Sequence, residues 1–292
     1  MGTNFSTREK VSGYVALTKP RIIELLLVIT VPTMFVAERG VPSVWLMVAT
    51  VAGGTLAAAG ANAVNMVVDR DIDALMERTM HRPLVRGVMS PRSALTFAVV
   101  IEIAAFVWLF CTVNLLSAVL AISATFFYVF VYTLWLKRTT TQNIVIGGAA
   151  GAVPALVGWA AVTNSLAWPP VILFLMIFFW TPPHFWALAI RYRDDYQAAA
   201  VPMLPSVVSL EETVRKMALY TVVLVGFTVL FSPVADMGVV YLVSALVLGA
   251  VFGAMVEAVR RHPTERAAMR LFSFSITYVT LLFGAMVIDV LV

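Results

Sequence analysis

Asn65, Asp69 and Asp73 stand four residues apart. On a helix each such step drifts only about 40°, so the three side chains share one face, and Asp71 falls away from it. Carboxylate and amide oxygens grouped in this way suit Mg²⁺. That cation typically takes one or two carboxylates and completes its shell with water and phosphate oxygens. Arg78 and Arg82, again four apart, follow at once, and a guanidinium matches phosphate in shape as well as charge. Acids and arginines together point to a site for a metal-bound diphosphate. On spacing alone the segment also reads as a solvated loop, with Asp71 or Glu77 paired to Arg70 or Arg78 at the water interface. A calcium loop fits less well, since there is no Gly at the turn and no Glu at the twelfth position.

A second polar cluster follows in RYRDDYQAAAVPMLP, residues 191–205. Tyr192, Asp195 and Tyr196 lie three or four residues apart on one helical face, which favours Asp195 over Asp194 as the acid that joins the site. Lys137 and Arg138, like Lys19 and Arg21, stand at the ends of apolar runs. They read either as topology determinants or as phosphate contacts. His184 follows Pro182-Pro183 and precedes Phe185-Trp186 inside an apolar run; an ionisable side chain at such a place usually marks function, although a hydrogen-bonded structural role is the plainer reading. Glu102, in the middle of another run, is expected to face the bundle interior, with no role assigned. Asn62 and Asn143 are expected to tie helices together.

The elements that carry these residues follow from composition. Of the 292 residues, 61% are hydrophobic and 12% charged, against roughly 45–50% and about 25% in soluble domains. A soluble globule of this size cannot be covered with so little polar surface, so the chain is read as an integral membrane protein. The single cysteine, Cys111, excludes an intrachain disulfide. A crossing helix needs about 20 apolar residues. The runs of that kind are 22–38, 43–64, 93–113, 115–136, 143–163, 168–190, 217–234, 238–258 and 271–291. They predict an all-α bundle of nine transmembrane helices, one domain over 1–292 with 1–21 as a cytoplasmic segment. Every Lys and Arg except Arg39 falls before the first run or in the loops after the second, fourth, sixth and eighth. By the positive-inside rule the N-terminus and the polar clusters are cytoplasmic and the C-terminus exits on the far side.

The N-x₃-D-x₃-D motif on this scaffold resembles the UbiA-type intramembrane prenyltransferases. The segments LTKPRI (17–22), NMVVDRDIDALMERTMHRPLV (65–85), YTLWLKRTTTQNIVIGGAAGAVPALVGW (132–159) and TPPHFWALAIRYRDDYQAAAVPMLP (181–205) are similar to the branch that farnesylates protohaem IX. The resemblance covers essentially the whole chain. It implies a bundle around a central cavity in the cell (inner, cytoplasmic) membrane. Farnesyl diphosphate and haem B would be the substrates, Mg²⁺ the cofactor and haem O the product, with a downstream haem-modifying enzyme or oxidase assembly as partner and no nucleic acid. It also implies that Asn65, Asp69, Asp73 and Asp195 hold metal and act in catalysis. Substrate contacts would come from Lys19, Arg21, Arg78, Arg82, Lys137, Arg138, Asn143, His184, Tyr192 and Tyr196, with His184 a haem contact. The superfamily's second D-x₃-D is absent here, Tyr192 and Tyr196 standing nearest its two positions. The alternatives are the same chemistry on an aromatic quinone precursor or another tetrapyrrole, and a secondary transporter with acidic ion-coupling sites. Against the transporter, the acids cluster at the cytoplasmic boundary rather than the midplane, and no internal repeat is found.

Overall fold

Nearly every apolar run becomes a helix bounded by local chemistry. The computed structural model describes residues 5–292, apart from the side chains of residues 21–23, 25 and 26. The side chain of Arg21 therefore lies outside the described residues. No strand occurs among those described. Helix α1 (Thr7–Leu17) starts at a capping box in which Ser6 and Glu9 satisfy each other's backbone N–H. Helix α2 (Arg21–Glu38) ends where Arg39 adopts φ 57°, and α3 (Val44–Val68) runs into the short α4 (Arg70–Asp73). Asn114, the only polar residue between the third and fourth runs, ends one helix and caps the next. Its side chain accepts from the N–H of Ser117, so α5 (Pro91–Thr112) and α6 (Leu115–Phe126) are separate.

Beyond α6 the chain widens into a π-helix, Phe127–Leu136, before α7 (Lys137–Thr139). Apolar periodicity predicted an ordinary helix there. Thr133 Oγ1 donates to the Tyr128 carbonyl five residues back at 2.8 Å, a bond that matches the wider turn. Then follow α8 (Asn143–Thr163), α9 (Trp168–Arg191), α10 (Arg193–Ala198), α11 (Leu204–Val207), α12 (Leu210–Val234), α13 (Val239–Arg261) and α14 (Glu265–Leu291). Helices α12 and α14 begin six or seven residues before the apolar runs at 217 and 271, because Ser209 and Thr264 cap them and carry charged first turns outside the hydrocarbon. Among the described residues eight helices are long and apolar enough to cross a membrane, and α2 contributes a shorter apolar stretch, Leu27–Glu38.

Helix α8 packs between α2 and α9, α3 lies against α5, and α12, α13 and α14 pack in succession, with α14 returning to α9 and α2. The largest buried cluster joins α9 to α12–α14 and includes Trp180, Trp186, Tyr241 and Tyr278. Close approach on the other side depends on small residues. A Cβ on Gly158 of α8 would stand 2.6 Å from the Thr30 carbonyl oxygen of α2. Backbone cannot give way there as a side-chain tip can. Gly158→Ala is therefore expected to lower the melting temperature in detergent, with an overpacking cost of about 1–3 kcal/mol. Gly226→Ala on α12, where nothing lies within 4 Å of the new methyl, is expected to leave it level or raise it. Equal behaviour of the two variants would show that this helix contact carries no strain.

Candidate active site

Asp69 and Asp73 continue the hydrogen-bond pattern of α3 past its end, the Asp69 N–H donating to the Asn65 carbonyl at 2.9 Å and the Asp73 N–H to the Asp69 carbonyl at 2.8 Å. That continuity keeps the three side chains on one face, as the spacing predicts. All three are buried, with exposures of 2%, 0% and 2% for Asn65, Asp69 and Asp73. Asp71 points away, and both its oxygens accept from the Arg138 guanidinium at 2.6 and 2.7 Å. This pairing holds its carboxyl down at about 2.

Cations from distant parts of the chain surround the acids. Lys137 Nζ is paired with Asp69 Oδ2, and the same oxygen accepts from Asn65 Nδ2 at 2.7 Å. Arg82 Nη1 donates to both oxygens of Asp73 at 2.7 and 2.6 Å. Lys19 Nζ donates to Asn65 Oδ1 at 3.0 Å. Burial, with Arg82 and Lys137 close by, draws the Lys19 ammonium down to about 7. An arriving anion acts in the opposite sense and favours its charged form. The Asn65 amide is fixed further by Thr133 on the π-helix at 3.2 Å.

These groups form the polar end of a cavity of about 410 Å³ enclosed by α2, α3, α6, the π-helix, α8 and α9. Asn65, Asp73, Arg82, Lys19, Lys137, Tyr196 and, at the exposed mouth, Arg78 line it. The inner wall is small and apolar on α3 and α8 (Ala57, Ala61, Gly147, Val157) and aromatic elsewhere (Tyr128, Tyr132, Trp180, Phe185). Tyr128 and Tyr132 were not singled out in the sequence, where they read as part of an apolar run. A pair of tyrosines four apart, ending five residues before Lys137-Arg138, was the only signal.

Other expected site residues lie around the cavity rather than on it. Asp195 is partly buried, and its two oxygens accept from the backbone N–H groups of Glu77 and Arg78 at 3.3 and 3.4 Å. It clasps α10 to the loop that carries Arg78 and Arg82, and a ligand role would require those contacts to open. Tyr192 lies beneath the Arg78 guanidinium, 5.3 Å from ring centroid to Cζ. Asn143 Nδ2 donates to the carbonyls of Lys137 and Pro202 at 3.3 and 3.4 Å, joining the two loops. His184 stacks on Trp180 and Phe272 with centroids 4.2 and 4.6 Å away, and its Nδ1 is 2.6 Å from Ser275 Oγ. It sits in the wall between α9 and α14, one layer behind the cavity surface that Trp180 and Phe185 form.

The donor set fits a magnesium ion. Asp69 Oδ1 is buried without a hydrogen-bond partner among the described residues, and the carboxylate of Asp73 faces the cavity. No group of three or more His, Cys, Asp or Glu able to hold a metal occurs among the described residues. A cation at Asn65, Asp69 and Asp73 would therefore need diphosphate and water to complete its shell. Carboxylates and four cations at the rim of an apolar chamber are suited to a ligand that joins an apolar chain to a diphosphate.

The model of the UbiA prenyltransferase family matches residues 26–279. The chain belongs to that family. A protoheme IX farnesyltransferase of Frankia casuarinae is 54% identical to it over 288 residues, covering 97% of this chain and 99% of that protein. In three dimensions the family fold recurs in a structure concerned with digeranylgeranylglyceryl phosphate synthase, with TM-score 0.79, 17% identity and coverage of 97% of this chain and 99% of that one. A UbiA homologue from Archaeoglobus fulgidus bound to DMAPP and Mg²⁺ gives TM-score 0.61 at 13% identity, covering 94% and 98%. Family membership makes the chain a membrane-embedded prenyltransferase. The cluster of Asn65, Asp69 and Asp73 is where its polar chemistry converges with its cavity.

Proposed function

We propose that this chain transfers the farnesyl group of farnesyl diphosphate to a vinyl group of haem B, with addition of water, to give haem O. The observation that carries the prenyl-transfer half is the burial of Asp69 and Asp73 beside four cations at the polar end of an apolar cavity. The choice of acceptor is supported by 54% identity, over almost the full length of both chains, to a protein named for that activity.

Asn65, Asp69 and Asp73 would hold Mg²⁺, in keeping with the cation-bound state of the Archaeoglobus homologue, while Asp195 holds the Arg78 loop to α10. Bound there, Mg²⁺ supplies positive charge against the negative charge that builds on the departing diphosphate. Arg82, Lys137 and Lys19, which pair with carboxylate or amide oxygens, would turn to the phosphate oxygens, with Arg78 at the mouth. As the C1–O bond breaks, an allylic cation forms in a chamber from which apolar side chains exclude water. The aromatic rings of Tyr128, Tyr132, Phe185 and Trp180 line that chamber, and an aromatic ring attracts a cation. The terminal carbon of the haem vinyl group then donates its electron pair to C1. Arg138 and Asn143 hold the surrounding loops, and Tyr192 supports Arg78. His184 supports the aromatic wall against which the macrocycle rests. In the membrane the reading is nine crossings, α2 among them. The N-terminus and the site face the cytoplasm and the C-terminus lies on the far side, as the segregation of all cations but Arg39 indicates.

Purified protein given farnesyl diphosphate, Mg²⁺ and either haem B or 4-hydroxybenzoate tests the reading. The expected product is haem B heavier by one farnesyl group and one hydroxyl group, with none formed after chelation of the metal. Prenylated benzoate without a haem product would assign the chain a different acceptor, and turnover undiminished by a chelator would remove the metal from the account.

A further inference from the structure

Glu102 is a buried acid that the steps above do not use. It sits mid-way along α5, and among the described residues neither of its carboxylate oxygens has a hydrogen-bond partner although both are buried. An ionisable side chain inside a membrane bundle is expensive and usually marks function. The carboxyl reaches α3 at a point where only a glycine admits it, because a Cβ on Gly60 would stand 2.5 Å from Glu102 Oε1. The Thr125 side chain of α6 and the backbone of Ala61 are its polar neighbours there, though neither is hydrogen-bonded to it. Ala61, Asn62 and Thr125 all line the cavity. The acid thus stands behind the wall, with a hydroxyl between it and the chamber.

Depth narrows the role. Gly60 precedes Asn65 by five residues on α3, about 7 Å deeper along the helix axis. The phosphates belong with Asn65 and Asp73, so the carboxyl lies at the level of the carbon atoms that react. On the haem-farnesylating reading, the new C1–carbon bond uses the two vinyl π electrons and leaves a cation on the inner vinyl carbon. A water oxygen must then bond to that carbon and lose one proton. Without a held water, the same cation loses a proton from the neighbouring methylene and becomes an alkene. The chamber must be dry for the first cation yet supply one water to the second, and Thr125 and Asn62 are polar groups at the required depth.

We propose that Glu102, acting through the Thr125 hydroxyl, positions the water added after carbon–carbon bond formation and takes its proton. The water oxygen forms the C–O bond, its proton passes to the Thr125 oxygen, and the Thr125 proton passes to the Glu102 carboxylate. The inference rests on the proposed acceptor being haem B. Glu102 is a positioning residue, since it meets the substrate only through another side chain.

The ratio of hydrated to dehydrated product, read by mass spectrometry from purified protein with farnesyl diphosphate, Mg²⁺ and haem B, tests it. Glu102→Gln keeps shape and removes the proton acceptor; Thr125→Val keeps shape and removes the relay. Both are expected to lower that ratio about a hundredfold, the low end of a general base's contribution, and Glu102→Asp is expected to recover part of it. An unchanged ratio in Glu102→Gln and Thr125→Val overturns the proposal. So does loss of farnesyl transfer altogether in folded samples of both, because the carboxyl is placed after that step. If Glu102→Gln does not insert, Thr125→Val decides by the same ratio. Should the unsubstituted protein farnesylate only a different acceptor, the functional reading fails first and this proposal with it, a result distinct from a ratio that does not move.

Discussion

Asp73→Asn is expected to lower kcat for prenyl transfer by about 10²–10³, the usual loss when one group that stabilises developing charge is removed. The Mg²⁺ concentration needed for half-maximal rate is expected to rise with it. The substitution keeps the side-chain shape and the bond from Thr79 Oγ1 to the Asp73 carbonyl at 3.0 Å, so the fold is retained. What changes is the charge facing the cavity. Asp69→Asn is expected to behave alike, since its Oδ1 is buried without a hydrogen-bond partner among the described residues. Asp71 provides the contrast: it is exposed and paired with Arg138 on the outer side, where such pairs contribute about 0–1 kcal/mol. Asp71→Asn should change rate by no more than severalfold. Steady-state rates across a magnesium titration separate the three variants. Full activity in Asp73→Asn would mean that the shared acidic face does not hold the metal.

Lys137→Met should affect two measurements at once. Its ammonium lines the cavity and is paired with Asp69. Loss of one charge-assisted bond to phosphate, about 1.5–3 kcal/mol, lowers kcat/KM for farnesyl diphosphate roughly ten- to hundredfold. Stability falls as well, because Asp69 is left buried with only the Asn65 amide and a guanidinium nitrogen of Arg138 at 3.8 Å. Breaking a buried pair from one side typically costs about 3–5 kcal/mol. The double variant Lys137→Met, Asp69→Asn is expected to recover most of the melting temperature and none of the activity. Recovery of activity in the double variant would show that Lys137 serves only to neutralise the acid and never meets the substrate.

Helix periodicity and the hydrocarbon length are local properties, and they carried much of this protein in the order of its residues. The shared face of Asn65, Asp69 and Asp73, the outward turn of Asp71, and the helix break at Asn114 need nothing beyond neighbouring residues. The near coincidence of the apolar runs with the observed helices has the same origin. Other features depended on packing between distant segments. Lys19 and Lys137 reach Asn65 and Asp69 from 46 and 68 residues away, and no spacing rule joins positions so far apart, whereas Arg82 stands only nine residues from Asp73. The π-turn aligns Tyr128, Tyr132 and Thr133 with α3 and α8 because it meets its neighbours there, while hydropathy cannot tell it from an α-turn. His184 looked solitary in a polar census, yet the fold surrounds it with Trp180, Phe272 and Ser275 and keeps it behind the cavity surface. Which polar side chains touch the chamber, and which support those that do, was settled by helix contacts whose cost and gain arise only when the bundle closes.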